Sequence, residues 1–119
     1  MDSVQLKKLS QMGVDWKVAM DTFAGHEEIY YNLIKKFPED EYFDTMLKEI
    51  KAENYPEAFK AAHALKGICS NLGLKQLLDQ LNPLVELLRH EPYATEIINV
   101  YLNRLHSKYL NAIQIIGEL

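Results

Sequence analysis

One cysteine among 119 residues closes no internal disulfide, and a lone Cys69 fits a reducing compartment. Long apolar runs are missing too: none approaches the roughly 18 residues that a membrane-spanning helix needs. The opening MDSVQLKKLS lacks the apolar core of a secretion signal, so the expectation is a cytoplasmic protein with no membrane partner. No basic block interrupts the chain. With a formal charge of −4 and a pI of about 5.5, nucleic acid is a poor partner. Glycine and proline are scarce, at 5 and 4 residues, and β-branched clusters alternating with period two are absent, which argues against strands. No glycine-rich phosphate loop is present, so the chain is not expected to bind ATP and phosphorylate itself. Repeats of 20 to 50 residues and low-complexity tracts are absent as well.

What remains is ordinary globular composition, 48% hydrophobic and 25% charged, in a length that suits one hydrophobic core. We expect a single domain over residues 1–119. Apolar residues recur at spacings of three and four, the period of amphipathic helices. Val4, Leu6 and Leu9 mark a short helix stopped near Gly13. Asp15 caps a second, WKVAMDTF, that ends at Ala24-Gly25. From about His26, a stripe of Ile29, Tyr30, Leu33, Ile34 and Phe37 predicts a longer helix. Pro38 breaks or kinks it and opens its continuation, PEDEYFDTMLKEIKA.

Asn54 is placed as the N-cap of the next helix, with Pro56 and Glu57 in its first turn and Gly73 at its end. A helix from Leu74 to about Arg89 contains Pro83. The last begins near Pro92 and carries Ile97, Ile98, Tyr101, Leu102, Leu105, Tyr109, Leu110, Ile113 and Ile116. Four substantial helices with short connections predict an all-α fold. The arrangement expected is an antiparallel up-down-up-down four-helix bundle, with the short N-terminal helices closing one end.

The stretch AFKAAHALKGICSNLG, residues 58–73, carries the chemistry. Projected at about 100° per residue from His63, Ala58, Ala61, Ala62, Leu65, Cys69, Leu72 and Ile68 gather around the far pole. His63, Lys66, Gly67, Ser70, Phe59 and Lys60 fall on the near side, open to solvent or a partner. His63 with Lys66 is an i, i+3 pair and His63 with Gly67 an i, i+4 pair, so the three adjoin. Glycine inside a helix costs roughly 1 kcal/mol relative to alanine, and Gly67 is too far from the helix end to cap it. A bare patch beside an imidazole lets another molecule approach closely. Imidazole titrates near 6.5, so much of it is neutral and nucleophilic at cytoplasmic pH. A phosphoryl group accepted on its ring would meet the Lys66 ammonium.

AHALKGICSNLGL resembles the motif of histidine-containing phosphotransfer (HPt) domains, His-x-Leu-Lys-Gly followed by small residues and a later glycine. His63, Leu65, Lys66, Gly67, Leu72 and Gly73 match. Upstream, FAGHEEIYYNLIKKF is similar to that family's preceding helical region. The resemblance implies a helical bundle whose His63 receives a phosphoryl group from the phosphoaspartate of a response-regulator receiver domain and passes it to another. Lys66 would stabilise charge, Gly67 would admit the partner, and Phe59, Lys60 and Ser70 would adjoin it. The implied partners are receiver domains and a sensor or hybrid histidine kinase. No cofactor is expected, Mg²⁺ belonging to the receiver, and the protein is expected to be a monomeric phosphocarrier rather than an enzyme.

Two positions depart from the family's pattern. Ile68 replaces a small residue, and Val85 falls where many relatives carry a polar residue bonded to the histidine's other nitrogen. Asn82 and Glu86, four apart on one face, are the nearest substitutes. His26, His90 and His106 lie on different helices without partners at ligand spacing, so no metal site is expected. Cys69, facing the core, reads as a small hydrophobe. The rival reading is a helical adaptor that docks on a receiver or kinase and inhibits it with no phosphate passing. A hydrolase finds no paired carboxylates or triad.

Overall fold

The computed structural model describes all residues 1–119 and is helical throughout. Seven α-helices follow one another: α1 Ser3–Gln11, α2 Trp16–Thr22, α3 Glu27–Lys36, α4 Tyr42–Lys51, α5 Tyr55–Asn71, α6 Lys75–Leu88 and α7 Thr95–Gly117. No strand forms; a single isolated bridge joins Val14 to Leu74. No helix is long and apolar enough to cross a membrane. One continuous cluster of buried apolar side chains runs from Leu9 in α1 to Ile116 in α7. Helices α4 to α7 pack in succession, and the rings of Phe43 and Tyr109, 3.9 Å apart, join α4 to α7.

Local signals explain most boundaries. Asp2 caps α1 with a capping box, its side chain accepting from the Gln5 N–H while Gln5 accepts from the Asp2 N–H. Asp15 caps α2 by accepting from the Val18 N–H at 3.2 Å. Positive φ at Ala24 and Gly25 turns the chain into α3. Three expectations need correction. Asn54 precedes α5, but its side chain makes no cap bond. Pro38 does not open α4: it sits in the short 3₁₀ helix Phe37–Glu39, and α4 starts at Tyr42, whose N–H donates to Asp40 Oδ1 at 2.8 Å. The pyrrolidine ring and missing N–H make the α-helical ladder costly to carry across that point. Of the predicted stripe, only Tyr30 and Ile34 of α3 and Phe37 just after it are buried; Ile29 and Leu33 are 50% and 43% exposed. They lie about one residue's rotation off the buried seam. Ile97 and Leu110 of α7 are likewise exposed, for the same reason.

The junction between α5 and α6 holds the bundle end together. Gly73 has φ +67, and a Cβ there would stand 2.8 Å from the Asp15 carbonyl oxygen, so backbone conformation and close approach both require glycine. That approach lets the Asp15 N–H donate to Gly73 O at 2.8 Å, tying α2 to the end of α5. Tyr30, fully buried, donates from its hydroxyl to the Leu72 carbonyl at 2.7 Å. Its ring meets Trp16 and Phe23 edge to face at 5.4 and 5.5 Å. Burial pushes the Tyr30 phenol far above its ordinary pKa, so it stays a donor. The site helix is thereby fixed at its C-terminal end by two separate elements, α2 and α3.

Candidate functional site

α5 is a helix of alanines on its inner side. Ala58, Ala61, Ala62, Leu65 and Cys69 are buried, which lets α4 and α6 approach closely. The opposite side carries His63, Gly67, Lys60 and Ser70, all exposed, with Lys66 half-buried. The 3.6-residue period therefore places the imidazole at the middle of the helix, facing solvent. No protein hydrogen bond reaches its ring. Its nearest aromatic neighbour is Phe59, one turn earlier, with ring centroids 5.7 Å apart.

Gly67 needs no account from packing. A Cβ built on it would meet nothing within 4 Å, and its φ is not in the left-handed region. The bare surface beside His63 is thus open outward and is not filled by the protein itself. Lys66 has no ion-pair partner, whereas Lys60 is paired with Glu57 on its own helix at 3.0 Å. Of the two lysines, Lys66 is the one whose charge is free. Phe59 is half-buried and packs against the core. Ser70 makes no side-chain hydrogen bond.

Arg89, at the C-terminal cap of α6, completes the surroundings. Its guanidinium stands over the Phe59 ring, 5.1 Å from Cζ to the centroid. It grips Glu86 with a fork, Nε to Oε2 at 3.1 Å and Nη2 to Oε1 at 2.9 Å. Those hydrogen bonds, joined by the positive charges of Arg89, Lys66 and His90, hold the Glu86 carboxyl below its ordinary pKa against a smaller opposing effect of desolvation. Sequence reasoning did not reach Arg89. The i, i+3 pairing with Glu86 was visible, but its place beside Phe59 depends on how α6 packs on α5.

Neither substitute named for the missing polar partner bonds to His63. Glu86 is occupied by Arg89, which lies one turn along the same face, and makes no bond to His63. Asn82 is exposed and makes no side-chain hydrogen bond. Val85 is fully buried in the core. Ile68 is half-buried and lines a groove of about 550 Å³ with Phe23, Leu33 and Phe37, so its bulk is absorbed beside the core.

The remaining histidines stand apart. His26 precedes α3, His90 lies near its neighbour's carbonyl, and His106 packs on Phe43. No three histidine, cysteine, aspartate or glutamate side chains converge as a metal site would require. Cys69 is fully buried, and desolvation, with Asp40's charge adding, pushes its thiol up to about 12.

A family model described as the Hpt domain matches residues 39–106, more than half of the chain. The match takes in the whole of α4, α5 and α6 and much of α7, and it begins after FAGHEEIYYNLIKKF. Comparison with curated proteins and with solved structures gives no match.

Proposed function

The chain belongs to the Hpt domain family, and from that membership we propose that it is a phosphorelay carrier acting through His63. Hpt domains serve histidine phosphotransfer in two-component phosphorelays and are phosphocarriers without kinase activity of their own. In the step proposed, the lone pair of the neutral imidazole forms an N–P bond as the acyl-phosphate P–O bond of a receiver's phosphoaspartate breaks. The aspartate carboxylate leaves with the electron pair, and the reverse step delivers the group to a second receiver. Catalysis is then mostly positioning and charge neutralisation. His63 carries the group, Lys66 neutralises charge, and Gly67 lets the receiver's active site close over the ring. Phe59, Lys60 and Ser70 border the docking area, and Mg²⁺ arrives with the receiver.

The observation that carries the reading is Gly67. A helix-interior glycine that no internal contact requires, one turn from an exposed histidine, makes sense when another molecule occupies the space. The free Lys66 charge agrees with it. We further read residues 1–119 as one domain and α4–α7 as an up-down-up-down bundle. Two facts support that topology. The C-terminal ends of α5 and α7 both meet α1–α3, through Tyr30 to Leu72 and Lys35 to Ile116, and Tyr55 near the start of α5 stacks on Tyr93 ahead of α7. We place the protein in the cytoplasm as a monomer with small, transient interfaces to receivers and a kinase.

The test is transfer from a receiver carrying labelled phosphoaspartate, with Mg²⁺, to the wild type and to His63→Gln. Label should move to the wild type alone, in an acid-labile, base-stable bond. Binding to receivers without any transfer would overturn the carrier reading in favour of the adaptor.

A further inference from the structure

Two long stretches of this acidic chain hold no aspartate or glutamate, residues 58–78 and 97–117. The first contains His63 and its lysines. The second is nearly the whole of α7, and the site does not account for it. Within it Ile97, Val100, Tyr101, Arg104 and Lys108 recur at spacings of three and four, so they form one strip along the helix. Ile98, Leu102, Leu105 and Tyr109 make the buried seam, and His106, which packs on Phe43 of α4, lies on the flank away from the strip. No element of the chain covers the strip. Ile97 and Val100 are 50% and 46% exposed, and Arg104 and Lys108 are exposed without an ion-pair partner. We propose that this strip is a docking surface for an acidic amphipathic helix of a partner protein, which lays apolar side chains on Ile97 and Val100 and carboxylates on Arg104 and Lys108. The proposal goes beyond the carrier reading and does not depend on it.

Charge decides the occupant. The strip is positive and the chain as a whole carries −4, so an extended anionic surface meets repulsion beyond the strip. Two cations also fall short of the roughly four or more that hold a protein to anionic lipid. A single helix touches only the strip. A second copy of this chain fits poorly, because burying one strip on another sets Arg104 and Lys108 against the same cations of its partner. The Tyr101 ring readies the contact: Arg104 Cζ lies 5.5 Å from its centroid, and no carboxylate of the chain takes the guanidinium. A docked helix presents its own side chains at intervals of three, four and seven residues, which is the spacing of the strip. In the bundle read above, α7 stands diagonally from α5, so a helix held here leaves the His63 side open to a receiver.

The probes are two helical peptides titrated into ¹⁵N-labelled protein. One carries leucines and glutamates at the spacing of the strip, and the other has lysines in place of the glutamates. The acidic peptide should shift the amide resonances of residues 97–108 and bind less well as salt is raised. Arg104→Glu combined with Lys108→Glu should weaken it about tenfold or more, since two exposed attractive pairs become repulsive. Lys51→Glu, on α4, should bind as the wild type does, and so should His63→Gln. The lysine peptide should not bind. Absence of binding, equal binding of both peptides, shifts centred elsewhere, or no loss in the double variant would overturn the inference. Tighter binding to phosphatidylserine vesicles than to the acidic peptide would overturn it in favour of a membrane. A dimer seen by sedimentation and lost in the double variant would overturn it in favour of a second copy. Each of these outcomes leaves the carrier reading standing, which the phosphoryl-transfer assay tests by itself.

Discussion

Gly67→Ala is expected to stabilise the protein and impair its transfer reaction, two effects of opposite value from one methyl group. The stability term follows from the site's geometry. A Cβ at position 67 meets no atom within 4 Å, so nothing must shift to accept it. The backbone is ordinary helix, so alanine gains the full interior preference over glycine, roughly 1 kcal/mol. Unfolding entropy of about 2.1 cal/mol/K per residue gives roughly 0.25 kcal/mol/K for 119 residues, so Tm should rise by about 4 °C. The functional term follows from position, since residue 67 lies one turn from His63 on the same face. Gly67→Gln, which projects further at similar helix propensity, should slow transfer from a phosphorylated receiver much more than alanine does. Thermal unfolding by circular dichroism and a timed transfer assay on the same preparations read both. A lowered Tm for Gly67→Ala would mean that packing demands the glycine. Wild-type transfer by Gly67→Gln would mean that no partner uses the cleared surface.

Gly73→Ala should act in the reverse direction, losing well over ~1 kcal/mol in urea unfolding, because φ +67 and the 2.8 Å approach to Asp15 O are both incompatible with a Cβ. Tyr30→Phe should cost about 1–2 kcal/mol in the same assay by leaving the buried Leu72 carbonyl without its donor; an unchanged midpoint would refute that role. Cys69 should resist Ellman's reagent in the native protein and react only as the chain unfolds, and rapid native labelling would show that the thiol is not enclosed. Its folded pKa of about 12 lies above the ordinary 9.0, so its contribution to stability is complete below pH 9 and lost as pH rises through 12. Alkaline titration of unfolding, compared with Cys69→Ala, checks that sign.

The parts that sequence reasoning reached share one property: they depend on spacing within a single element. The near face of α5 is an example, because 3.6 residues per turn put His63, Lys66 and Gly67 together wherever that helix packs. The cap at Asp15 and the left-handed glycine at position 73 are similar, since each answers to backbone groups only a few residues away. The errors fall where neighbours decide. Ile29 and Leu33 look like core in a stripe, yet the side of α3 that is buried runs along Tyr30 and Ile34 and on to Phe37 beyond its end. Glu86, read as a neighbour of His63, has its carboxylate held by Arg89 of its own helix.

By itself, then, the chain's order of residues determined a helical protein and a histidine, lysine and glycine presented on one helix face, because helix periodicity is a local rule. Only the tertiary structure decided that the Gly67 surface opens to solvent. It alone placed Phe59 across the gap to α6 and Arg89 upon it, and joined Tyr30 to the end of the site helix. Those facts depend on the register in which helices pack, and register is set by the fit of whole side-chain surfaces.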